Sequence, residues 1–477
     1  MAAPSLRKNY LYTVLIQLVS MLAPLVTAPY LARVLGSEGV GTYSYVLSVA
    51  TAFSLFTALG FSSYGLREVS RVRDDPTAVS QLFWELTVLR MATTLLTGGA
   101  YVLLCLRMTD RAVYAAAGWL ILATGLDLTW LFQALERFGS VTLRHLAVKG
   151  VTVALIFALV RDREDVVLYA LIQTGGTALS HLLLWPRVRS LVGRPQAPVR
   201  PLRHLRPSLT YFVPAVATSV YTVLDKTMLG ALTGDMTQSG YYESAHKIIR
   251  LLMAVIVSLN VVVGVRTSYL FGKNRWEQAH VHLLDTFRFT CALAFPLWAG
   301  IAACGDGFAV VFFGTEFAAT GALLRRFAPL LFVVGISNVL GSLYLTPAGY
   351  RRRSNYAIVT GAVVNLLLNV ALIPRYGGGG AVLASLAAES VISVLYVWFS
   401  HSFVAVGRLL RIAARYAAYG VGVFLPTYAL AQRMPPSWWG LLAQAAVGVA
   451  VYLSLLLVFR DPLWQVWRRL RKEDEAE

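Results

Sequence analysis

The runs VTVALIFALV, LLMAVIVSLNVVVGV and AVGVAVYLSLLLVF leave this chain few choices. About twenty consecutive apolar residues are enough to cross a bilayer as a helix. In hydrocarbon only helices and closed barrels satisfy their own backbone groups. Such runs recur along all 477 residues, of which 57% are hydrophobic and 14% charged, against about 25% charged in an ordinary soluble protein. The chain therefore reads as an all-α polytopic membrane protein. Hydropathy gives about fourteen transmembrane helices, the first near 10–35 and the last near 439–459.

A net charge of +18 would point to nucleic acid in a soluble domain. Here position matters more than the total, because Lys and Arg gather in cytoplasmic loops. With the N-terminus inside, REVSRVRDD, RVRSLVGRPQAPVRPLRHLR, GKNRWEQ, YRRRS and the tail RRLRKEDEAE are cytoplasmic. GSEGVG, RDRED, TGDMTQSG, RYGGGG and QRMPPS fall on the other side. Basic residues are about threefold commoner in the first set. The expectation is a multi-pass protein of the cell membrane with both termini cytoplasmic and no nucleic-acid partner. Cys105, Cys291 and Cys304 sit in or beside apolar spans and have no disulfide or metal-ligand spacing, so no cofactor or metal is expected. The run from Tyr10 to Leu35 is too long for the apolar region of a signal peptide.

The longest connection, about 187–207, is cytoplasmic and rich in Arg and Pro, as a linker between two bundles would be. The organisation expected from it is an N-terminal six-helix lobe over 1–190, a linker over 191–206 and a second six-helix lobe over 207–402. Two additional helices and a cytoplasmic tail follow over 403–477. GSEGVGTYSY, after the first span, echoes TGDMTQSGYYES, after the seventh, and each follows a span containing proline, Pro24 or Pro214. Six spans is an even number, so two such lobes would be parallel repeats. Pro24, Pro29 and Pro214 are expected bending points. The tetraglycine Gly377–Gly380 reads as a helix-to-helix turn, since no strand precedes it and no Lys follows in the P-loop position.

VYTVLDKTMLGAL, residues 220–232, sets Asp225 beside Lys226 in an otherwise apolar span. A charge there costs a few kcal/mol, so both belong in the protein interior and not against lipid. Adjacent helical residues point about 100° apart. Lys226 is therefore expected to face water, and Asp225 to pair toward the eighth span.

Several phrases resemble those of the bacterial polysaccharide flippases, the O-antigen and exopolysaccharide branch of a superfamily that also holds multidrug and lipid II exporters. They are NYLYTVLIQLVSMLAPLVTAPYLARVLGSEGVGTYSY, ALGFSSYGLREVSRVRDD, LDLTWLFQALERF, LDKTMLG, GYYESAHKI and VVNLLLNVALIPRYGGGGAVLASLAAES. They run in the family's order from residue 9 to about 400. Where the family often has Pro-Arg, this chain has Val265-Arg266, which removes an expected kink. The last two spans match only in apolar character.

The resemblance implies two helical lobes with a cavity between them. It implies a carrier that moves undecaprenyl-pyrophosphate-linked oligosaccharide from the inner to the outer leaflet by alternating access, with a polysaccharide polymerase as a further partner. A lipid II flippase or a cation-coupled multidrug antiporter is the alternative on the same fold. A membrane enzyme would need a catalytic constellation on an external loop, and these loops are too short to show one.

For such cargo the diphosphate is the obstacle, because charge crossing hydrocarbon meets a large desolvation penalty. Fixed Arg or Lys in a wet cavity offsets it. The expected substrate-binding residues are Arg90 in the third span, Lys149 in the fifth, Lys226 in the seventh, and Lys247 and Arg250 in the eighth. The last two are three apart and share a helix face, which His246 borders. The alternative for each charge is a structural ion pair: Asp127 with Lys149, or Asp225 with Lys247 or Arg250. Glu85 is the other acid of the first lobe. Coupling to H+ or Na+ is expected at Asp225 or Glu389, with Asn365 and Asn369 as amide donors to a cation. Hydrogen bonding between helices is the plainer role for the two asparagines.

Overall fold

The computed structural model describes residues 6–401 and 404–463, and every regular element among them is helical. The basic tail beyond 463 and the side chain of Pro214 lie outside the described residues. Compactness divides the chain into Met1–Gly240 and Tyr241–Glu477. That division places the segment 207–240, expected to open the second lobe, with the first unit.

The first unit begins with α1 (Leu6–Ala58), in which one residue, Gly36, leaves helical geometry at φ 69° and ψ 179°. That conformation is open essentially only to glycine. The first two expected spans are thus folded about a single residue, and the break lies there, not at Pro24 or Pro29, which sit inside the helix. The short α2 (Phe61–Arg71) leads to α3 (Pro76–Cys105), whose first turn is capped by the Asp75 carboxylate, accepting from the amides of Thr77 and Ala78. The fourth expected span is broken into α4 (Arg111–Leu126) and α5 (Thr129–Ala134) by Asp127 and Leu128. Then come α6 (Phe138–Leu159), α7 (Val166–Leu182), the single turn α8 (Trp185–Val188), and α9 (Leu205–Thr233).

Two apolar clusters hold this unit. One gathers Leu35, Val46, Tyr101, Tyr114 and Tyr169; the other gathers Phe83, Trp130, Leu131 and Phe132. Helix α9 packs on α1 with Gly230 against the Tyr45 ring, and Thr227 and Ser48 share a 2.7 Å hydrogen bond. The two echoing sequence segments prove to be a contact. A Cβ on Gly41 would fall on the Met236 carbonyl, and one on Gly240 on the Ser37 carbonyl. Backbone meets backbone there, so both positions need glycine.

The second unit takes up α10 (Met236–Gly272) from Tyr241, and the helix runs unbroken through residues 265–266. It continues with α11 (Trp276–Phe313), α12 (Ala318–Phe327), α13 (Leu330–Leu340), α14 (Arg351–Tyr376), α15 (Gly378–Ser400), α16 (Val406–Arg433) and α17 (Trp438–Val458). A π-helical turn, Gly341–Leu345, follows α13. Gly377 at φ 53° makes the tight α14–α15 turn that the tetraglycine suggests. Phe287, Phe295, Tyr344, Tyr396 and Tyr416 belong to one buried cluster.

Among the described residues nine helices are long and apolar enough to cross a membrane, or ten if the bent pair Thr315–Phe327 and Leu330–Leu345 is one span. The folded α1 enters that number once. The protein is a multi-pass membrane protein.

Candidate functional site

The charges within the helices differ in exposure, from Glu85 and Arg90, which are buried, to Arg250, which is exposed. The most buried is Glu85, 1% exposed on α3. Its carboxylate accepts from the Gln81 amide at 2.9 Å, the Arg200 backbone amide at 3.1 Å and the Arg203 guanidinium at 2.5 Å. His204 Nε2 lies 2.8 Å from it, and the other ring nitrogen is 2.9 Å from the Tyr64 hydroxyl. Three of these groups come from the linker.

More of the linker follows the same face of α3. The Gly193 amide donates to Ser80 Oγ, Trp84 Nε1 donates to the Gly193 carbonyl, and Gln81 contacts the backbone at Ala197 and Pro198. Positions 80, 81, 84 and 85 share one helical stripe. Residues 191–206 are therefore stitched to α3 and are not a free strap.

Arg90, one turn further along α3, is 3% exposed. Its guanidinium donates to the carbonyls of Asp127 at 2.9 Å and Thr124 at 2.5 Å, and lies 3.5 Å from the Asp127 carboxylate. Both carbonyls sit at the end of α4, which stops at Leu126, and the Thr124 carbonyl also accepts from the Asp127 amide at 3.4 Å. His181 Nδ1 is 3.2 Å from Asp127, and Thr129 donates to the same carboxylate through amide and hydroxyl. Arg90 was expected to bind substrate. In this conformation its two terminal nitrogens meet a broken helix end and the part-buried Asp127 carboxylate, while Nε has no hydrogen-bond partner. The partners shown for Asp127 are Arg90 and His181, where Lys149 was the expected one. Arg144, which no sequence pattern singles out, likewise donates to the Ser180 carbonyl.

Lys149 on α6 and Lys226 on α9 are half-buried, while Asp225 is 2% exposed. The adjacent residues thus differ in burial. On α10, Lys247 lies 3.8 Å from Glu243 one turn before it, and Arg250 is exposed. Glu243, Lys247 and Arg250 follow the i, i+4, i+7 spacing of one helix face. His246 is turned elsewhere, stacked on Tyr242 with ring centroids 5.8 Å apart and set against Phe327.

Glu389 on α15 is half-buried. Asn365 and Asn369 are both 0% exposed, and the Asn369 amide donates to Asn365 Oδ1 at 3.1 Å within α14. The Asn365 oxygen expected to face a cation is thus already accepting a bond, and that bond is made within one helix, not between two.

Sequence reasoning also missed Asp461, 2% exposed, which accepts from the Tyr416 hydroxyl at 2.7 Å and the Tyr419 hydroxyl at 3.3 Å. It lay in what reads as a polar tail after the last span.

Long apolar helices with a few charges held among them define a polytopic membrane protein. The chain belongs to the family described as polysaccharide biosynthesis protein, whose sequence profile matches residues 6–265, within the multidrug, oligosaccharidyl-lipid and polysaccharide exporter superfamily. A putative O-antigen transporter of Escherichia coli (strain K12) is 22% identical over 404 residues, covering 83% of this chain and 96% of that protein. One of Shigella dysenteriae is 24% identical over 401 residues, covering 82% and 99%. Among solved structures, lipid II flippase MurJ in an inward closed conformation aligns at a TM-score of 0.71, with 15% identity, over 95% of this chain and 99% of that one. An inward-facing MATE multidrug transporter aligns at 0.63, with 13% identity, over 83% and 96%. These structures share the fold.

Proposed function

We propose that this flippase carries an undecaprenyl-pyrophosphate-linked oligosaccharide from the cytoplasmic to the outer leaflet of the cell membrane by alternating access, with both termini cytoplasmic. The observation that carries this reading is the contrast in burial between the charges. Glu85 and Asp127 are each met by several neighbouring groups, while Lys149, Lys226 and Lys247 are half-buried and Arg250 is exposed. A diphosphate needs cations that can exchange water for phosphate oxygens. A cationic drug would need the reverse. The names of the O-antigen transporters and of the Haloferax volcanii relative, a probable low-salt glycan biosynthesis flippase 27% identical over 198 residues, support a sugar-bearing cargo.

In this reading Lys247 and Arg250 bind the diphosphate from one face of α10, and Arg90, Lys149 and Lys226 are the substrate-binding candidates of the first unit. Asp225 and Glu389 are the proton-coupling candidates, as carboxylates set within otherwise apolar helices. A polysaccharide polymerase would receive the product. The test is loss of the protein from its native cell, followed by analysis of inner-leaflet lipid-linked sugars. Accumulation of a diphosphate-linked oligosaccharide supports the reading. Accumulation of lipid II assigns the chain to cell-wall precursor transport, and no accumulation of either overturns it.

A further inference from the structure

The face of the first unit formed by α3 and α4 holds a cavity of about 530 Å³. None of the charges discussed above reaches it. Thr94, Gly98 and Gly99 line it from α3, Gly118 and Leu122 line it from α4, and Arg111 lies at one end. The walls are otherwise almost wholly apolar, and exposed leucines (Leu95, Leu103, Leu106) surround it.

Its depth comes from glycine. A side chain built on Gly98 or Gly99 would meet no atom of the described chain within 4 Å. Internal packing therefore does not require glycine at either position, and glycine in a helix interior is a destabilising choice relative to alanine. What the pair supplies is room for something outside the chain.

Length and charge say what fits. Along α3 the lining runs from Thr94 to Leu106, twelve residue steps, or about 18 Å at the ~1.5 Å helical rise. One leaflet of hydrocarbon is about 15 Å, half of a ~30 Å core. The groove therefore starts near the bilayer middle and stops at the α3–α4 connection, where Arg107 and Arg111 outnumber Asp110. We propose that it seats one acyl chain of an anionic phospholipid from that leaflet, with the phosphate on Arg111. The site is separate from the cargo residues and does not depend on the cargo's identity.

A helix of a second copy fits less well. Gly98 and Gly99 are adjacent, where close helix–helix seams place small residues four apart. The groove also ends after one leaflet.

The test is native mass spectrometry of the full-length protein, equilibrated with equal phosphatidylglycerol and phosphatidylcholine of matched chains. The wild type should retain one phosphatidylglycerol in preference to phosphatidylcholine. Arg111→Gln, at an exposed helix start, should reduce that preference about fivefold, the effect of one basic residue near a membrane surface. Gly99→Leu should lower retention of both lipids alike by filling the groove. Equal preference in wild type and Arg111→Gln would overturn the proposal. So would undiminished retention in Gly99→Leu, or a wild-type dimer that Gly99→Leu splits, which would give the groove to a second copy.

Discussion

Two charged regions of this protein have similar sequence signatures and opposite environments. On α3, Glu85 and Arg90 are 1% and 3% exposed; linker groups meet the Glu85 carboxylate, and a helix end and neighbouring acid meet the Arg90 terminal nitrogens. On α10, Lys247 has one acid a turn away and Arg250 is exposed. Both regions look, in sequence, like rare charges inside apolar spans. The lesson is that rarity marks a charge as important without saying for what. Saturation marks scaffold, and residual water access marks a cation able to exchange partners.

The comparison breaks most severely at Asp127. Asp127→Ala leaves Arg90 buried without its acid, and removing one partner of a buried pair costs about 3–5 kcal/mol. Thermal unfolding in detergent should show a large loss of stability, and unchanged melting would move Arg90 into the open group. Arg250→Gln is expected to do the opposite, leaving melting near wild type. Export should fall about tenfold to a hundredfold, the worth of one hydrogen bond to a charged group. Lys226→Gln should behave likewise. Wild-type export in both variants would remove them from the cargo path.

Gly240→Ala tests the backbone crossing with α1. Overfilling so close a contact costs about 1–3 kcal/mol, read as lowered melting, whereas alanine at exposed Gly150 should not reproduce it. The smallest effect belongs to Glu389→Gln. It should leave folding and maximal export intact while flattening the dependence of export on pH, and an unchanged profile clears Glu389 of coupling.

The all-helical fold was legible because hydropathy reports desolvation directly, although nine or ten described helices pass as spans where about fourteen were expected. The unequal burial of Asp225 and Lys226 was legible too, since the 100° step between adjacent residues forbids equal environments. The Glu85 cluster was not. Its acid and His204 are 119 positions apart, and the linker's Arg and Pro content reads as a solvated loop. The α4–α5 break was hidden for a similar reason. LDLTWLF is apolar enough to pass as continuous helix, and only the geometry shows that Asp127 interrupts it and recruits Arg90. The first fold point was misjudged because proline is the familiar breaker, whereas Gly36 supplies a backbone state proline cannot adopt.

Stitching residues 193–204 along α3 has a mechanical corollary. A tether pinned near its far end transmits pull from the pin, so whatever strains α9 acts first on His204 and Glu85 and not on slack upstream. Extra residues spliced in at the exposed Arg194 should leave that anchor in place. The same insertion between Arg200 and His204 would unfasten the anchor itself.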